Sequence, residues 1–238
     1  MNRICTICAR GGSKGLPGKN LKALFGRPLI AHTVAQAVES GLFDEVAVSS
    51  DSQAILEAAT AAGATLAIVR PAELASDTAG KLPAIIHCLE QAEDRLGHRF
   101  DTLVDLDATS PLRSVSDIVG TVELLESTGV KSVITGAPAR RSPYFNLVER
   151  DADGVVALSK PLAQGVLRRQ DSPPCFDMNA SIYAWDRRAL DGDPRVFYDD
   201  TQLFEMPEIR SQDIDSDLDF QIVEMLMARA RNQTRGEI

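Results

Sequence analysis

Arg3-Ile-Cys-Thr-Ile-Cys8 is a short β-branched run that leads directly into the segment Ala9-Arg-Gly-Gly-Ser-Lys-Gly-Leu-Pro-Gly-Lys-Asn20. The run predicts a buried strand. The segment combines four glycines with the cations Arg10, Lys14 and Lys19. Glycines let backbone amides approach phosphate oxygens, and cations offset the charge of a triphosphate and of departing pyrophosphate. A first strand ending in a polyphosphate-binding loop is therefore predicted, with an exposed flexible turn as the alternative.

The loop fits neither of the two commonest phosphate-binding patterns. GxGxxG is absent, and the Walker spacing fails because residue 13 is a serine and Asn20 follows Lys19. The pattern therefore indicates a phosphate site of another kind.

Beyond the loop, short β-rich runs alternate with longer helical patterns, which predicts an α/β domain with a mostly parallel sheet and crossover helices. A chain of 238 residues with 44% apolar residues suits one sizeable core, so a single domain over residues 1–238 is expected. The expected strands are Arg3 to Cys8, Glu45 to Ser49, Thr65 to Val69, Thr102 to Leu106, Ser132 to Thr135 and Ser181 to Trp185.

Proline, serine and glycine mark the expected helix ends. Pro28 is expected at the first position of a helix that Gly41 ends. Ser52 is expected to cap the next helix and Gly63 to end it. An amphipathic run over 218–228 predicts the final helix.

The stretch from Ala137 to Asp177 breaks this rhythm. It has five prolines, the paired Arg140 and Arg141, and no pattern of a crossover helix. We expect residues 137–177 to form an inserted hairpin or arm used in dimerisation, with a disordered loop as the alternative.

Composition argues against several classes of function. The 25 basic and 34 acidic residues give a net charge of -9, which disfavours nonspecific binding to nucleic acid or to an anionic membrane surface. The first residues show neither a signal peptide nor a membrane span, so a cytoplasmic location is expected. The one CxxC pair, Cys5 and Cys8, lies inside the β-branched run and favours buried reduced thiols over a zinc or redox site.

Five motifs together resemble the acylneuraminate cytidylyltransferases, also known as CMP-sialic acid synthetases. Besides the loop, they are Arg70-Pro-Ala-Glu-Leu-Ala-Ser-Asp77, Thr109-Ser-Pro-Leu-Arg113, Asn179-Ala-Ser-Ile-Tyr183 and Asp213-Ile-Asp-Ser-Asp-Leu-Asp219, in order and at suitable spacing. The resemblance implies a three-layer Rossmann-like nucleotidyltransferase fold with an inserted dimerisation arm, and a homodimer.

The resemblance also implies a nucleotide site. The loop would hold the phosphates of CTP through Ala9, Arg10, Gly11, Gly12, Ser13, Lys14 and Lys19, with the three cations contributing to catalysis. Asn20 would contact the ribose. Three further positions match the cytosine pocket of the family, namely Arg70, Ala79 and Lys81, the last of which stands where relatives often have serine.

Three carboxylates, those of Asp213, Asp215 and Asp107, are candidates for metal binding. Extended geometry would place Asp213 and Asp215 on one face, as two hard oxygen donors suited to Mg²⁺. A solvated acidic turn is the alternative, but the pair matches the catalytic metal ligands of the family.

Asp105 and Asp107 share a face at the end of a strand, the edge where open α/β sheets bind ligands. Related Kdo-activating enzymes bind metal through an aspartate near this position, so Asp107 is expected as a third metal ligand close to the sugar.

Several segments look closer to the legionaminic acid branch of the family, among them 105–108, 139–146 and 176–183. Arg169 matches an arginine facing the sugar carboxylate, while Tyr183 and Phe197 match aromatic residues of the pocket. Neuraminate enzymes often have a second arginine where this chain has Asp177. Arg140 or Arg141 from a dimer partner would supply the missing cation, unless this pair is a solvated face of the arm.

The resemblance therefore implies a magnesium-dependent enzyme that couples CTP to an acidic nine-carbon sugar, with N,N'-diacetyllegionaminic acid expected. CMP-N-acetylneuraminate and CMP-Kdo-type synthetases are the alternatives within the family. A sugar 1-phosphate nucleotidyltransferase and a non-catalytic nucleotide-binding module are the alternatives outside it. Each of the three histidines, at positions 32, 87 and 98, is expected to be structural or solvated.

Overall fold

The computed structural model describes residues 1–13, 15–76 and 78–235. The strands of this part are β1 Arg3–Cys8, β2 Ala23–Leu24, β3 Arg27–Pro28, β4 Glu45–Ser50, β5 Leu66–Val69, β6 Thr102–Leu106, β7 Ser132–Pro138, β8 Val148–Arg150, β9 Val156–Leu158, β10 Phe176–Asp186 and β11 Gln202–Glu205. The α-helices are α1 Leu29–Ser40, α2 Gln53–Ala61, α3 Lys81–Leu96, α4 Val115–Thr128 and α5 Asp217–Arg235.

One seven-stranded sheet has the order β11-β7-β10-β6-β1-β4-β5. Strand β1 pairs in parallel with β4 and β6, β4 with β5, and β7 with β11. Strand β10 runs antiparallel between β6 and β7. The predicted mostly parallel sheet is confirmed, and β10 is its antiparallel member.

The sheet is covered on both faces, which gives three layers. Side chains of β1 alternate: Cys5 and Ile7 pack in the core that includes α1, α2 and α4, whereas Ile4 packs in the core that includes α3. A strand buried on both faces needs apolar side chains at successive positions, and the β-branched run around Ile4 provides them. The predicted α/β three-layer arrangement is therefore confirmed.

The loops that can bind a ligand meet at one edge of the sheet. Strands β1, β4, β5 and β6 are mutually parallel, so the segments after them, including 9–22, 70–80 and 107–114, leave the same edge. Strand β7 ends and β10 begins at this edge, because Pro138 pairs with Phe176. The segment between these two strands therefore leaves and re-enters the sheet beside the candidate site.

Some boundaries differ from the predictions. Strand β10 is much longer than the predicted 181–185, because an irregular stretch between Met178 and Tyr183 shifts the register and breaks the alternation. Ala180 has a positive φ of 53° within it. The pattern gave no indication of β11, a four-residue strand at the edge of the sheet with only partly buried side chains.

The helix ends are close to the predictions. Gly41 ends α1 in the left-handed conformation, with a φ of 63°. Placing Pro28 at the first helical position was wrong by one residue, because Pro28 has extended backbone as part of β3 and α1 begins at Leu29. Ser52 precedes α2, but its side chain makes no capping hydrogen bond. Among the described helices, none combines the length and apolarity that a membrane crossing requires.

The predicted arm contains the expected hairpin. Strands β8 and β9 pair antiparallel, and the backbone of Ala139 hydrogen bonds to that of Cys175 at 2.8 Å where the segment meets the sheet. The residues at positions 137, 138, 176 and 177 belong to β7 and β10, so the part outside the sheet is 139–175. Exposed apolar side chains lie along it, among them Leu147, Val148, Val155 and Val156.

Candidate active site

A cavity of about 270 Å³ lies at the carboxyl edge of the sheet, where β1, β5 and β6 end. Residues from four separate parts of the chain form its walls. Those predicted from the sequence are Ala9, Arg10, Lys19, Asn20, Arg70, Ala79, Lys81, Asp107, Asp213 and Asp215. The structure thus brings together the predicted phosphate loop, base pocket and carboxylates.

A second cavity of about 300 Å³ adjoins the first and is formed mainly by the glycine-rich loop. Its walls include Gly12, Ser13 and Gly15, and it shares Arg10 and Lys19 with the first cavity. The backbone N–H of Gly11 donates to Asp51 at 2.7 Å and so fixes the start of the loop. Lys14 lies outside the described residues.

Gly15 allows the loop to contact the acidic segment directly. A Cβ atom at this position would lie 2.1 Å from the backbone oxygen of Asp215, so no larger residue fits without a shift of the backbone. The close approach explains the need for glycine here.

Lys19 connects the loop with the same acidic segment. Its Nζ donates to the backbone oxygen of Ile214 at 2.7 Å and lies 3.1 Å from Oδ1 of Asp215. A cation of the phosphate loop is therefore held beside a carboxylate of the predicted metal pair.

Asn20 is buried in the wall shared by the two cavities. Its Nδ2 donates to the backbone oxygen of Arg10 at 2.9 Å, whereas its Oδ1 has no hydrogen-bond partner among the residues that the structure describes. A buried acceptor without a partner is costly, so this amide oxygen is suited to accept from a ligand hydroxyl. The predicted contact of Asn20 with ribose is compatible with this geometry and stays a prediction.

The acidic segment is oriented by the residue between its two carboxylates. Ile214 is 0% exposed and packs with Leu16, Leu24 and Phe220, while its N–H donates to the backbone oxygen of Thr109 at 3.0 Å. The flanking carboxylates of Asp213 and Asp215 both line the first cavity, as the alternation predicted.

The environment of Asp213 suits a cation. Burial, followed by the charges of Asp107 and Asp215, raises the pKa of Asp213 to about 6, although Thr109 and Lys19 oppose the shift. Two carboxylates at a cavity, one of them half-buried near like charges, form a hard oxygen donor set. They fit a divalent metal ion.

Asp107 and Lys81 form a close ion pair in the same cavity. Nζ of Lys81 lies 2.7 Å from Oδ2 of Asp107 and 3.1 Å from Oδ2 of Asp105. Burial lowers the pKa of Lys81, but the two carboxylates more than offset this and leave it above its usual value. Among the described residues, no three Asp, Glu, His or Cys side chains form a group that could hold a metal. The expected role of Asp107 as a third metal ligand stays a prediction.

Arg113 supports the site and was given no role by sequence reasoning. Its guanidinium is buried and donates to the backbone oxygens of Ser181 and Asp107 and to the hydroxyl of Thr33. Burial lowers its pKa to about 10. The signal available in the sequence is an arginine in a turn motif directly after β6, where the chain reaches the ligand edge.

Thr109 is a second residue without a predicted role. Its N–H and hydroxyl contact Oδ1 of Asp107 at 2.9 and 2.7 Å, and the hydroxyl also contacts Oδ1 of Asp213. Thr109 thereby joins the two carboxylates that face the cavity.

The structure also shows where Arg70 of the predicted base pocket and the two thiols of the CxxC pair lie. Arg70 is buried and donates to the hydroxyl and backbone oxygen of Ser49 at 3.1 and 2.8 Å. Cys8 lines the cavity, and burial raises the pKa of its thiol to about 12, so it stays protonated. Cys5 and Cys8 are both unpaired, as expected for reduced thiols.

The predicted sugar-binding residues divide into two groups. Asp177 and Arg140 line a cavity of about 380 Å³ that also includes Asp213, and Oδ2 of Asp177 accepts from the N–H of Arg140 at 3.2 Å. Arg141 and Arg169 line a different cavity of about 570 Å³, in which Arg169 donates to the backbone oxygen of Ala139.

The two predicted aromatic residues differ in burial. Tyr183 is buried below Lys81, whose Nζ lies 5.0 Å from its ring centroid. Phe197 is exposed. Within one chain, Asp177 and Arg140 share a cavity with Asp213, whereas Arg141 and Arg169 line another.

A glycine-rich, cationic loop facing paired carboxylates at the carboxyl edge of an open α/β sheet places the protein in the class of nucleotide-binding enzymes. The sequence model of one family, described as Cytidylyltransferase, matches residues 4–231. The chain belongs to the cytidylyltransferase family and is a nucleotidyltransferase. Enzymes of this family generally use a divalent metal.

Two curated relatives cover nearly the whole chain. CMP-N,N'-diacetyllegionaminic acid synthase of Campylobacter jejuni is 44% identical over 225 residues, which is 94% of this chain and 94% of that protein. Post-translational flagellin modification protein B of Campylobacter coli is 44% identical over 232 residues, 98% of this chain and 97% of that protein. The resemblance predicted from the motifs is confirmed.

The fold is shared with a solved structure of CMP:2-keto-3-deoxy-manno-octonic acid synthetase complexed with CTP. The TM-score is 0.71 at 18% identity, and the match covers 97% of this chain and 100% of the other. The predicted nucleotidyltransferase fold is confirmed.

Proposed function

We propose that this enzyme transfers the cytidylyl group of CTP to an acidic nine-carbon sugar, and that the sugar is N,N'-diacetyllegionaminic acid. The observation that carries the proposal is the contact of Lys19 with Asp215, because it brings the glycine-rich, cationic loop and a carboxylate pair together in one cavity. The relative from Campylobacter jejuni, by its name, makes CMP-N,N'-diacetyllegionaminic acid.

In the proposed reaction, the anomeric C2 hydroxyl of the sugar attacks the α-phosphorus of CTP. The bond from the α-phosphorus to the bridging oxygen breaks, the O–H proton of the attacking hydroxyl is released to water, and CMP-sugar and pyrophosphate result. Positioning and charge stabilisation contribute most of the rate in such a transfer. The loop holds the phosphates through backbone N–H groups, and the side chains of Arg10, Lys14 and Lys19 offset the charge that develops on pyrophosphate.

The nucleoside end occupies the other side of the cavity. Arg70, Ala79 and Lys81 surround the cytosine, and Oδ1 of Asn20 accepts from a ribose hydroxyl. Mg²⁺ held by Asp213 and Asp215 would supply positive charge near the phosphates and lower the pKa of the attacking hydroxyl.

The sugar is proposed to enter the cavity that contains Asp177 and Asp213. A carboxylate at position 177 can accept a hydrogen bond from the N–H of an acetamido group, which legionaminic acid derivatives carry at two positions. An arginine would instead favour acceptor-rich groups. Asp177 therefore supports a 5,7-diacetamido sugar.

We also propose that the enzyme is a homodimer. Arg141 and Arg169 lie in the arm, and together with Phe197 they would complete the sugar site of the opposite subunit. The exposed apolar residues of the hairpin β8–β9 favour a partner that covers them.

The test is pyrophosphate release with each of the four NTPs against a panel of nonulosonic acids, Kdo and sugar 1-phosphates. We expect turnover with CTP as the only accepted nucleotide. We also expect a kcat/KM for N,N'-diacetyllegionaminic acid roughly 10²-fold above that for N-acetylneuraminic acid, because the latter lacks the second acetamido N–H that Asp177 would accept. Equal efficiency with the two sugars would contradict the choice of sugar. Turnover with a sugar 1-phosphate and none with acidic sugars would contradict the reaction.

A further inference from the structure

Lys81 occupies a position where a cation is unfavourable. It is the first residue of α3, and the N-terminus of a helix carries partial positive charge. Gly80, which precedes it, provides no side-chain cap. A cation at this end of a helix therefore requires compensation from elsewhere in the fold.

The compensation comes from the two carboxylates of β6 and the loop after it. Nζ of Lys81 lies 2.7 Å from Asp107 and 3.1 Å from Asp105. Asp105 is 0% exposed, and its Oδ1 accepts from Thr6 at 2.9 Å. Its Oδ2 has no hydrogen bond of good geometry within residues 1–13, 15–76 and 78–235. The ammonium of Lys81 therefore balances the charge of Asp105 Oδ2 as well as that of Asp107.

Both oxygens of the Asp107 carboxylate accept from donors of the chain itself. Oδ2 accepts from Lys81, and Oδ1 accepts from the N–H and the hydroxyl of Thr109. Although Asp107 lines the same cavity as Asp213 and Asp215, the three do not form a metal-binding group among the described residues. The Thr109 hydroxyl also contacts Asp213. Thr109 therefore bridges Asp107 and one carboxylate of the proposed metal pair.

We propose that Lys81 is an internal counter-cation that withholds Asp107 from the divalent metal site. The metal is then bound through Asp213 and Asp215, and Asp107 positions Lys81 and Thr109. This inference rests on the proposed metal pair. Lys81 is thus a positioning residue, and removal of its charge releases Asp107 to become a third metal ligand.

The test measures binding of Mn²⁺ alone to the full chain, by electron paramagnetic resonance of the free ion. Lys81→Met should tighten Mn²⁺ binding by roughly tenfold or more, because a third carboxylate joins the site. Lys81→Met combined with Asp107→Asn keeps the net charge of the pair and should return the affinity to within about threefold of wild type. Lys22→Met removes a nearby cation that pairs with Asp217 at 2.7 Å, and should change the affinity by less than about threefold.

Two outcomes would overturn the inference. One is an effect of Lys81→Met no larger than that of Lys22→Met. The other is a loss of roughly tenfold or more in the double variant, since Asp107 would then already be a ligand in the wild type. The double variant decides the question even if Lys81→Met alone does not fold. Asp215→Ala is measured in parallel, and unchanged Mn²⁺ affinity there would count against the metal pair of the proposed function instead.

Discussion

Asp215 is the carboxylate at the mouth of the active site. Its side chain is 80% exposed, whereas the neighbouring Ile214 is fully buried and holds the segment in place. Asp215 therefore faces the cavity, whereas Ile214 contributes to the core.

Replacing Asp215 with alanine should abolish turnover at saturating Mg²⁺ and leave stability nearly unchanged, because an exposed carboxylate adds little to folding. The measurements are pyrophosphate release and thermal unfolding. Asp217→Ala is the matched control, since Asp217 is an exposed carboxylate paired with Lys22 at the start of α5. Turnover of the Asp215 variant equal to that of the control would contradict the assignment.

Arg210 connects the segment that precedes Asp213 and Asp215 to helix α4. Its guanidinium donates to both carboxylate oxygens of the buried Asp117 at 2.8 and 2.9 Å. Burial by itself raises the pKa of Asp117, but the hydrogen bonds from Arg210 and Ser114 more than offset it and hold the pKa below its usual value.

Arg210→Met should therefore lower the free energy of unfolding by on the order of 2 kcal/mol at pH 7. A carboxylate with a lowered folded-state pKa stabilises the fold above its unfolded pKa of about 3.9 and loses this effect as pH falls through the folded value. The difference between variant and wild type should shrink below about pH 4. Urea unfolding at pH 7 and pH 3 measures it, and a difference that does not depend on pH would refute this account.

The residues of the site differ in how well the sequence predicts them. One short segment contains Arg10, Lys19 and Asn20, so the residue types and their order are enough to predict that these residues lie in the site. The pairing of Lys81 with Asp107 joins α3 to the end of β6, and nothing local in either segment indicates it. Arg113 is similar, because its partners Thr33 and Ser181 lie far from it in the chain.

Among the elements of the site, the predicted phosphate loop and the acidic segment depend on each other for their positions, because their backbones are in contact at Gly15. Gly15→Ala would force the loop or the acidic segment to move, since the added methyl would lie 2.1 Å from the backbone oxygen of Asp215. A misplacement of about 1 Å at a reacting centre costs roughly 10²-fold in rate, so a loss of this size in kcat/KM is expected.

The same variant should lower the melting temperature. Gly12→Ala is the structural control for thermal unfolding, because a Cβ atom there meets nothing within 4 Å. A Gly15→Ala enzyme within threefold of wild-type kcat/KM would mean that the two backbones can separate without affecting the reaction.

The elements themselves were predictable where one pattern governs them. Strand β1 and helix α1 have clear apolar periodicity and firm end signals, and their observed bounds lie within one residue of the predictions. Strand β11 was not predicted because an edge strand buries less side-chain surface than a central strand. Its sequence therefore needs no strong alternation of apolar and polar residues. Most of the additional residues of β10 were not predicted, because the irregular stretch at Ala180 interrupts the alternation of side chains between the two faces of the sheet.

At the scale of the whole molecule, residues 139–175 form an excursion from two neighbouring strands. The excursion begins and ends at paired residues, since Ala139 hydrogen bonds to Cys175 and Pro138 pairs with Phe176. The sheet and the two cores that cover its faces lie outside this segment, whose buried residues are Ala139 and Ser142.

Replacing residues 139–175 with a short Gly-Ser linker should leave a chain that unfolds cooperatively, because the joined ends already lie side by side. We expect light scattering to show a monomer and sugar-dependent pyrophosphate release to be lost. Wild-type protein in the same buffer is the reference. A shortened chain that still forms a dimer would place the subunit interface elsewhere.

The contact between Lys19 and Asp215 joins residues 196 positions apart in the sequence. Contacts of such high sequence separation form late in folding, because a long loop must close before they yield any stabilisation. The predicted nucleotide site is therefore complete only in a folded chain that brings Lys19 and Asp215 to the same cavity. A ligand that binds only this completed site stabilises the folded state by mass action, so the unfolding midpoint should rise with CTP concentration by an amount set by the ratio of that concentration to the Kd.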